Sequence, residues 1–481
     1  MKSMRFLIQL ASLITVVDSF QGSMKSRSPT DVTAQILTGL RDNNNNPAKG
    51  TTTSSGTQNP TIKSLNLETD FYDPSTGLHS EGVWHNALVG IASLQLQNYQ
   101  NDENENECEY EYEYEYASRI ADSLYKHAWD NCSFRRRSWS GNWDHSSLLN
   151  QAENPPEQAN YYRESDEHRC VQHGMALVFW SKFLLEGSKR STHKHSHLTS
   201  DALKCKMRQK RIADQFLKEF WDESVQKWTT ISQSQGGGST LRVSASAAKQ
   251  TLGVSEDTQL PYFRAVDQAI AVLACLEHLK VLQQQNINGY ETAALHVSEE
   301  RLIGIIQTTC RQILCPTNGF GYENIREAKN YLGLDRNRNF WHDGWTFLAL
   351  VKARQYIWPL DTNHGEVQLV AMWNTLVDMY QVTSSGSVDC CDGTFWHWPR
   401  EMKDELSNVR YCGDNSLAFA IRRNLAFSGS RSDTRDGEEE FWRFIDGLRQ
   451  GDSRGLASVA DAYPQVRLHP NTELAALLVW P

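Results

Sequence analysis

Two kinds of apolar stretch alternate along this chain. Residues 83–97, 170–186, 263–281, 341–357, 414–423 and 472–480 are apolar on nearly every side, as helices covered all round must be. Between them, residues 117–130, 206–221, 298–314, 365–381 and 437–448 carry apolar side chains along one stripe. Ile212, Phe216 and Phe220 recur at helical spacing among Lys and Arg, and Val367, Val370, Trp373, Leu376 and Met379 recur every three residues. The pattern predicts an all-α chain, with an inner ring of buried helices wrapped by an outer ring of amphipathic ones.

The buried stretches also begin alike. Glu81-Gly-Val-Trp-His-Asn86, His168-Arg-Cys-Val-Gln-His173, Tyr262-Phe-Arg-Ala-Val-Asp267 and Asn339-Phe-Trp-His-Asp-Gly-Trp345 each lead into an Ala/Leu-rich body, and Tyr411-Cys-Gly-Asp-Asn415 leads into Leu417-Ala-Phe-Ala420. With His85, His173, Asp267, Asp343 and Asn415 as anchors, the steps are 88, 94, 76 and 72 residues. A period of that size holds two helices and their loops, which makes the chain an array of helical hairpins. Parallel inner helices gather their amino ends at one mouth. There, free N–H groups and helix dipoles favour anionic or oxygen-rich ligands.

Short aromatic turns follow several outer helices, as in Phe220 to Trp228 and Asn318-Gly-Phe-Gly-Tyr322. They suit small hairpins rimming a cavity. Three inserts break the period: Glu107 to Tyr116, expected as an exposed strand or an acidic loop; the His-rich Ser191 to His197, expected as a solvated loop; and the Gly/Ser-rich Gln233 to Gln250.

Composition adds exclusions. The net charge of −10 over 481 residues gives no electrostatic reason to bind nucleic acid. No apolar run reaches the ~18–20 residues a membrane span needs. Lys2 and Arg5, the apolar run Phe6 to Val17 and the small-residue site Val17-Asp-Ser19 read as a signal peptide over 1–19, hence entry to the secretory route. Residues 20–66 are of low complexity and read as a linker or transit segment, with one short helix over Asp31 to Arg41, and folded structure is expected over 67–481. Phe20 and the basic, Ser-rich run after it resemble the two-part presequences of algae with secondary plastids, so secretion and a plastid address both stay open. None of the ten cysteines lies in a Cys-x-x-Cys pair, and no helix carries two histidines at metal spacing. Neither a metal nor a cofactor is expected. Asn131-Cys-Ser133 is a glycosylation sequon.

Phe71-Tyr-Asp-Pro-Ser-Thr-Gly-Leu78, Val83-Trp-His-Asn86, Arg264-Ala-Val-Asp-Gln268 and Trp341-His-Asp-Gly-Trp345 together resemble the six-hairpin glycosidase-like superfamily, nearest to its N-acylglucosamine 2-epimerase family. The resemblance covers about residues 67–481 and implies an (α/α)6 toroid acting on carbohydrate. The chain departs from the epimerases in their late Lys-x-Trp-Trp-x-x-Glu run; Thr394-Phe-Trp-His-Trp-Pro-Arg-Glu-Met-Lys403 stands nearest to it.

Three functions fit such a mouth. A sugar epimerase or isomerase moves a proton next to a carbonyl and needs an acid/base pair near neutral pKa, which histidine supplies. His342 and His397, both within aromatic runs, are the preferred pair. A glycosidase needs two carboxyls, one protonated and one ionised; Asp343 and Asp414 are the candidates, with Asp267 a further one. A glycan-binding protein without catalysis is the third. Trp84, Trp341, Trp345, Trp396 and Trp398 could stack on sugar faces, while His85, His173 and Arg264 could bind hydroxyl or carboxylate groups. The favoured expectation is the epimerase or isomerase, a monomer or homodimer taking a mono- or oligosaccharide. Asp343 is expected at the mouth near Asp267 and His173, with Gly344 marking close approach by a ligand or a neighbouring helix.

Overall fold

Six helices follow one another around a ring in the computed structural model. They are α1 (Val83–Gln100), α3 (Cys170–His193), α5 (Ala265–Ile287), α7 (Phe340–Ile357), α9 (Cys412–Ala426) and α10 (Pro470–Leu478). Each packs against the next, and α10 returns to α1, so the ring closes. Outside it, α2 (Glu107–His127) covers α1, α4 (Ser200–Phe220) covers α3, α6 (Glu299–Ile313) covers α5 and α8 (Thr362–Tyr380) covers α7. This is the all-α toroid of alternating inner and outer helices. The structure describes these helices with residues 28–34, 37, 82, 128–135, 168–169, 221–235, 264, 297–298, 314, 358–359, 442 and 479–480, and eight short strands.

The strands form four antiparallel hairpins: β1 (Tyr72–Asp73) with β2 (Leu78–His79), β3 (Trp221–Asp222) with β4 (Lys227–Trp228), β5 (Thr240–Leu241) with β6 (Leu260–Pro261), and β7 (Val382–Ser384) with β8 (Phe395–His397). All lie between an outer helix and the next inner one, or just ahead of the first, so they rim the amino ends of the inner helices. The expected aromatic hairpin over Phe220 to Trp228 is β3–β4, with Trp221 opposite Trp228. The Asn318 to Tyr322 turn lies outside the described residues.

Side-chain distribution explains which helix goes where. An inner helix touches two ring neighbours, an outer helix and the ring centre, so no face is left for water. Every described side chain from Ala265 to Leu276 in α5 is buried, as is every one from Asp343 to Val351 in α7. Outer helices keep one wet face. In α6, Leu302, Ile305, Ile306, Thr309, Cys310 and Ile313 point inward, and Ser298 caps the start by accepting from the Arg301 N–H. Close approach is set by small residues. A Cβ at Gly90 would lie 2.3 Å from the Phe179 ring, so α1 and α3 can touch only there without a side chain. A Cβ at Gly344 would meet Leu417 Cδ2 at 2.6 Å. Gly344 therefore serves the α7–α9 contact, the second of its two expected reasons.

Three expectations need correcting. The Glu/Tyr run is the first half of α2, not a strand or loop. Tyr116 is buried, and the Tyr114 ring stacks on Phe183 at 5.0 Å under the Arg190 guanidinium, 4.2 Å away. Packing of the tyrosines on α3 outweighs the two-residue alternation. In α8 the buried face is Leu369, Met372, Leu376 and Tyr380, at three- and four-residue steps, while Val367 and Val370 are exposed. A strict three-residue step drifts around a helix of 3.6 residues per turn, so the full stripe could not stay on one side. Finally, the short helix expected within the linker segment is there in part, and it packs on the ring instead of standing off it. Residues 29–34 are helical, Val32 and Leu37 are buried, and the Thr33 hydroxyl donates to the Ala475 carbonyl of α10.

Candidate functional site at the amino ends of the inner helices

Contacts between first turns show that the inner helices run parallel. The Trp84 N–H of α1 donates to Gln172 Oε1 of α3 at 2.8 Å, which satisfies one donor that the helix itself leaves free. The Cys170 thiol, at the start of α3, reaches the Asp267 carbonyl of α5 at 3.7 Å. Glu473, in the first turn of α10, joins two further helices: its Oε1 accepts the indole N–H of Trp84 at 3.2 Å and of Trp341, from α7, at 3.1 Å. The Trp84 and Trp341 rings lie 5.5 Å apart, across the ring. Helices α1, α7 and α10 thus meet at the mouth on one buried carboxylate held by two indoles. A carboxylate in a first turn also faces the positive end of its helix.

Beside this cluster stands His342, half-buried, with its ring 5.2 Å from that of Trp341. Trp341 is likewise half-buried, and the Arg264 side chain keeps 19% of its surface. His85 is buried at 7% exposure. Among the described candidates, His342 is the first-turn imidazole that solvent reaches most readily, and a flat indole stands next to it. Such a pair can hold a sugar's C–H face and move a proton beside it.

Several expected site residues are elsewhere or are committed to the fold. His173 is sealed away from the mouth. Its Nε2 faces the Ile212 carbonyl at 3.0 Å and must donate, so Nδ1 is bare and accepts from the Ser133 hydroxyl at 2.9 Å. Trp129, Phe134, Phe216 and Phe220 enclose the ring. Burial drives this imidazole from 6.5 down to about 3, so it is neutral. Trp345 is core: it packs edge-on to Trp84 at 5.5 Å above and to Trp480 at 5.5 Å. Asp343 is 1% exposed and turns outward, where the Tyr380 hydroxyl of α8 donates to Oδ2 at 2.5 Å. The expected Asp343 near Asp267 and His173 at the mouth is therefore not found. Asp267 is wholly buried under Arg264, which donates to it twice, at 2.7 and 2.8 Å, and under the Thr230 hydroxyl at 2.7 Å. That ties α5 to the segment after β4 and engages the Arg264 fork. Trp396 and His397 lie on β8, opposite Thr383 and Val382; their side chains, the Asp414 side chain and all of Trp398 lie outside the described residues.

Sequence reasoning missed Glu473 and Gln172. The rule that marked the other helix starts would have found Glu473, because Pro470-Asn-Thr-Glu473 precedes an apolar Leu/Ala run just as they do. Gln172 sat inside a start already quoted, overshadowed by His173. Among the described residues no group of three or more His, Cys, Asp or Glu side chains is placed to hold a metal ion, and no helix is long and apolar enough to cross a membrane. A groove of about 1200 Å³ lies elsewhere, on the outer face between α4, the β3–β4 hairpin and Arg301 of α6. It is lined by both signs of charge, and Arg301 pairs with Glu223 within it.

The buried imidazoles carry a pH dependence. His278, which takes an amide N–H from Gln209 at 3.0 Å, is pushed by burial from 6.5 to about 4. Unfolded, both histidines bind a proton as pH falls through about 6.5; folded, they do so only near 3 to 4. Their contribution is thus complete above pH 6.5 and is lost below it, by about 1.4 kcal/mol for each at pH 5.5. Urea unfolding at pH 7.5 and 5.5 should show that loss, and His278→Gln should remove about half of it. Equal stability at the two pH values would mean the imidazoles are not held neutral.

No family model matches the sequence, and no curated protein matches it. Among solved structures the chain is similar to a D-mannose isomerase, with a TM-score of 0.45 and 9% identity over 80% of this chain and 82% of that one.

Proposed function

We propose that this protein is a carbohydrate-active enzyme, a sugar epimerase or isomerase working at the mouth of the toroid. The observation that carries the reading is the Trp84–Trp341–Glu473 cluster with the half-buried His342 beside it. The half-buried Trp341 indole offers its face to a sugar ring, Glu473 and the buried Trp84 fix its orientation, and His342 exchanges a proton with the carbon next to the sugar carbonyl. His397 is the proposed second acid/base group. Proton removal gives an enediolate, and return of a proton to the other face, or to the adjacent carbon, gives the epimer or the isomer. No redox step enters. The glycosidase reading is weaker on the same geometry, because Asp343 is engaged by Tyr380 of an outer helix.

Tryptophan emission tests the location. A free monosaccharide substrate should change the emission of the wild type, and Trp341→Phe should shrink that change and weaken the apparent affinity. A change of full size at unchanged affinity in Trp341→Phe would move the site away from this mouth.

A further inference from the structure

A second charged cluster lies far down the ring from the mouth, with Lys182 buried, Glu277 and Lys352 half-buried and Lys280 exposed. Lys182 is the thirteenth residue of α3, Glu277 the thirteenth of α5 and Lys352 the thirteenth of α7. Parallel helices put equal positions at equal depth, about 18 Å below the amino ends at 1.5 Å per residue. Lys280 stands one turn further along α5. The Glu277 carboxylate holds the Lys280 ammonium at 2.7 Å and the Lys182 ammonium at 3.4 Å, and Lys182 also lies over the Trp480 ring at 5.7 Å. Lys352 has no ion pair or hydrogen bond to its side chain among the described residues. Two ammonium groups therefore pair with one carboxylate, and Lys352, with Arg354 beside it on α7, lies within electrostatic reach of all three. The Arg354 guanidinium is occupied: it donates to the Asn424 carbonyl at 3.2 Å.

Helix ends do not account for the lysines. Helices α3 and α5 run on to His193 and Ile287, eleven residues past Lys182 and seven past Lys280, and α7 runs on to Ile357. The attraction of a helix's carboxyl end for cations falls off within the last turn. Arg423, which donates to the Leu478 carbonyl at the end of α10, does answer to that attraction; Lys182 and Lys352 do not. Burial, then Lys182 and Lys280, push the Lys352 ammonium from 10.5 down to about 7, whereas Glu277 stays well on the ionised side despite its burial because Lys182 and Lys280 flank it.

We propose that Lys352 and Lys182, with Lys280 behind them, form a binding site for a small free oxyanion of the phosphate or sulfate class. A tetrahedral dianion there balances the surplus charge and gives Lys352 an acceptor, which it lacks among the described residues. Phosphate oxygens suit several ammonium groups at once, each acting as a point charge. The site is separate from the mouth and needs no sugar.

Thermal unfolding in inorganic phosphate, against sodium chloride at equal ionic strength and pH 7, tests the proposal. Phosphate should raise the Tm of the wild type in a saturable way, and calorimetric titration should show one site. Lys352→Met should fold, since among the described residues it removes a cation without an ion pair, and should lose the phosphate-specific shift. The more exposed Lys280→Met should weaken binding several-fold and keep part of the shift. No phosphate-specific shift in the wild type overturns the site, and so does an equal shift in Lys352→Met.

Discussion

Replacing His342 with alanine should lower turnover by about 10²- to 10⁴-fold, the usual contribution of a positioned acid or base, while the Tm stays within a few degrees of the wild type. The two halves belong together. His342 is half-buried at the start of α7, so its removal opens no sealed cavity. Its backbone carbonyl still accepts from the Thr346 hydroxyl at 2.8 Å, and the helix start is kept. The loss should fall on kcat more than on KM, because Trp341, the proposed sugar platform, remains. A variant that folds and turns over at the wild-type rate removes His342 from the mechanism. One that fails to fold places it in the core.

Asp267→Ala should act in the opposite way, on stability first. Its carboxylate is wholly buried and accepts three hydrogen bonds, two from Arg264 and one from Thr230. Without it a guanidinium is left without its partner beside the first turn of α5, and Thr230 loses its acceptor. Breaking a buried pair from one side costs about 3–5 kcal/mol, and the partial exposure of Arg264 argues for the lower end, about 3 kcal/mol. Urea unfolding would register this as a lower midpoint at an unchanged slope. Arg264→Ala together with Asp267→Ala should cost less than the two single losses summed, because the pair goes together. A single-variant loss under 1 kcal/mol would show that Asp267 is not what anchors α5.

The ring itself was legible in the sequence, because inner and outer helices leave different marks. Helix α5 is apolar on all sides, and α6 is apolar on one. What a helix start presents to the mouth was not legible, and the reason is rotation. Successive residues turn by about 100°, so Trp341 and Asp343 point to opposite sides of α7. Trp341 faces the ring centre and Glu473; Asp343 faces Tyr380 of the outer helix. Trp345, a full turn on, returns to the inner side but lies deeper, between Trp84 and Trp480. Two neighbours in α3 divide likewise: Gln172 reaches α1, and His173 turns to Ser133 and α4. A run such as Trp-His-Asp-Gly-Trp marks the amino end of an inner helix, but not which of its residues face the ring centre and which face the outer helix. Helix α10 was read as a buried stretch over 472–480, but that reading began only one residue ahead of Glu473 and left Pro470 and Asn471 outside, so its start was not matched with the others.

The reaction is tested most directly by incubating the protein with free aldoses and ketoses in deuterated water and following the sugar C–H signals by NMR. The account predicts that one sugar exchanges its hydrogen next to the carbonyl for deuterium as its epimer or isomer appears, and that His342→Ala abolishes both. Absence of exchange with every free sugar, together with release of sugar from a glycan, would contradict it.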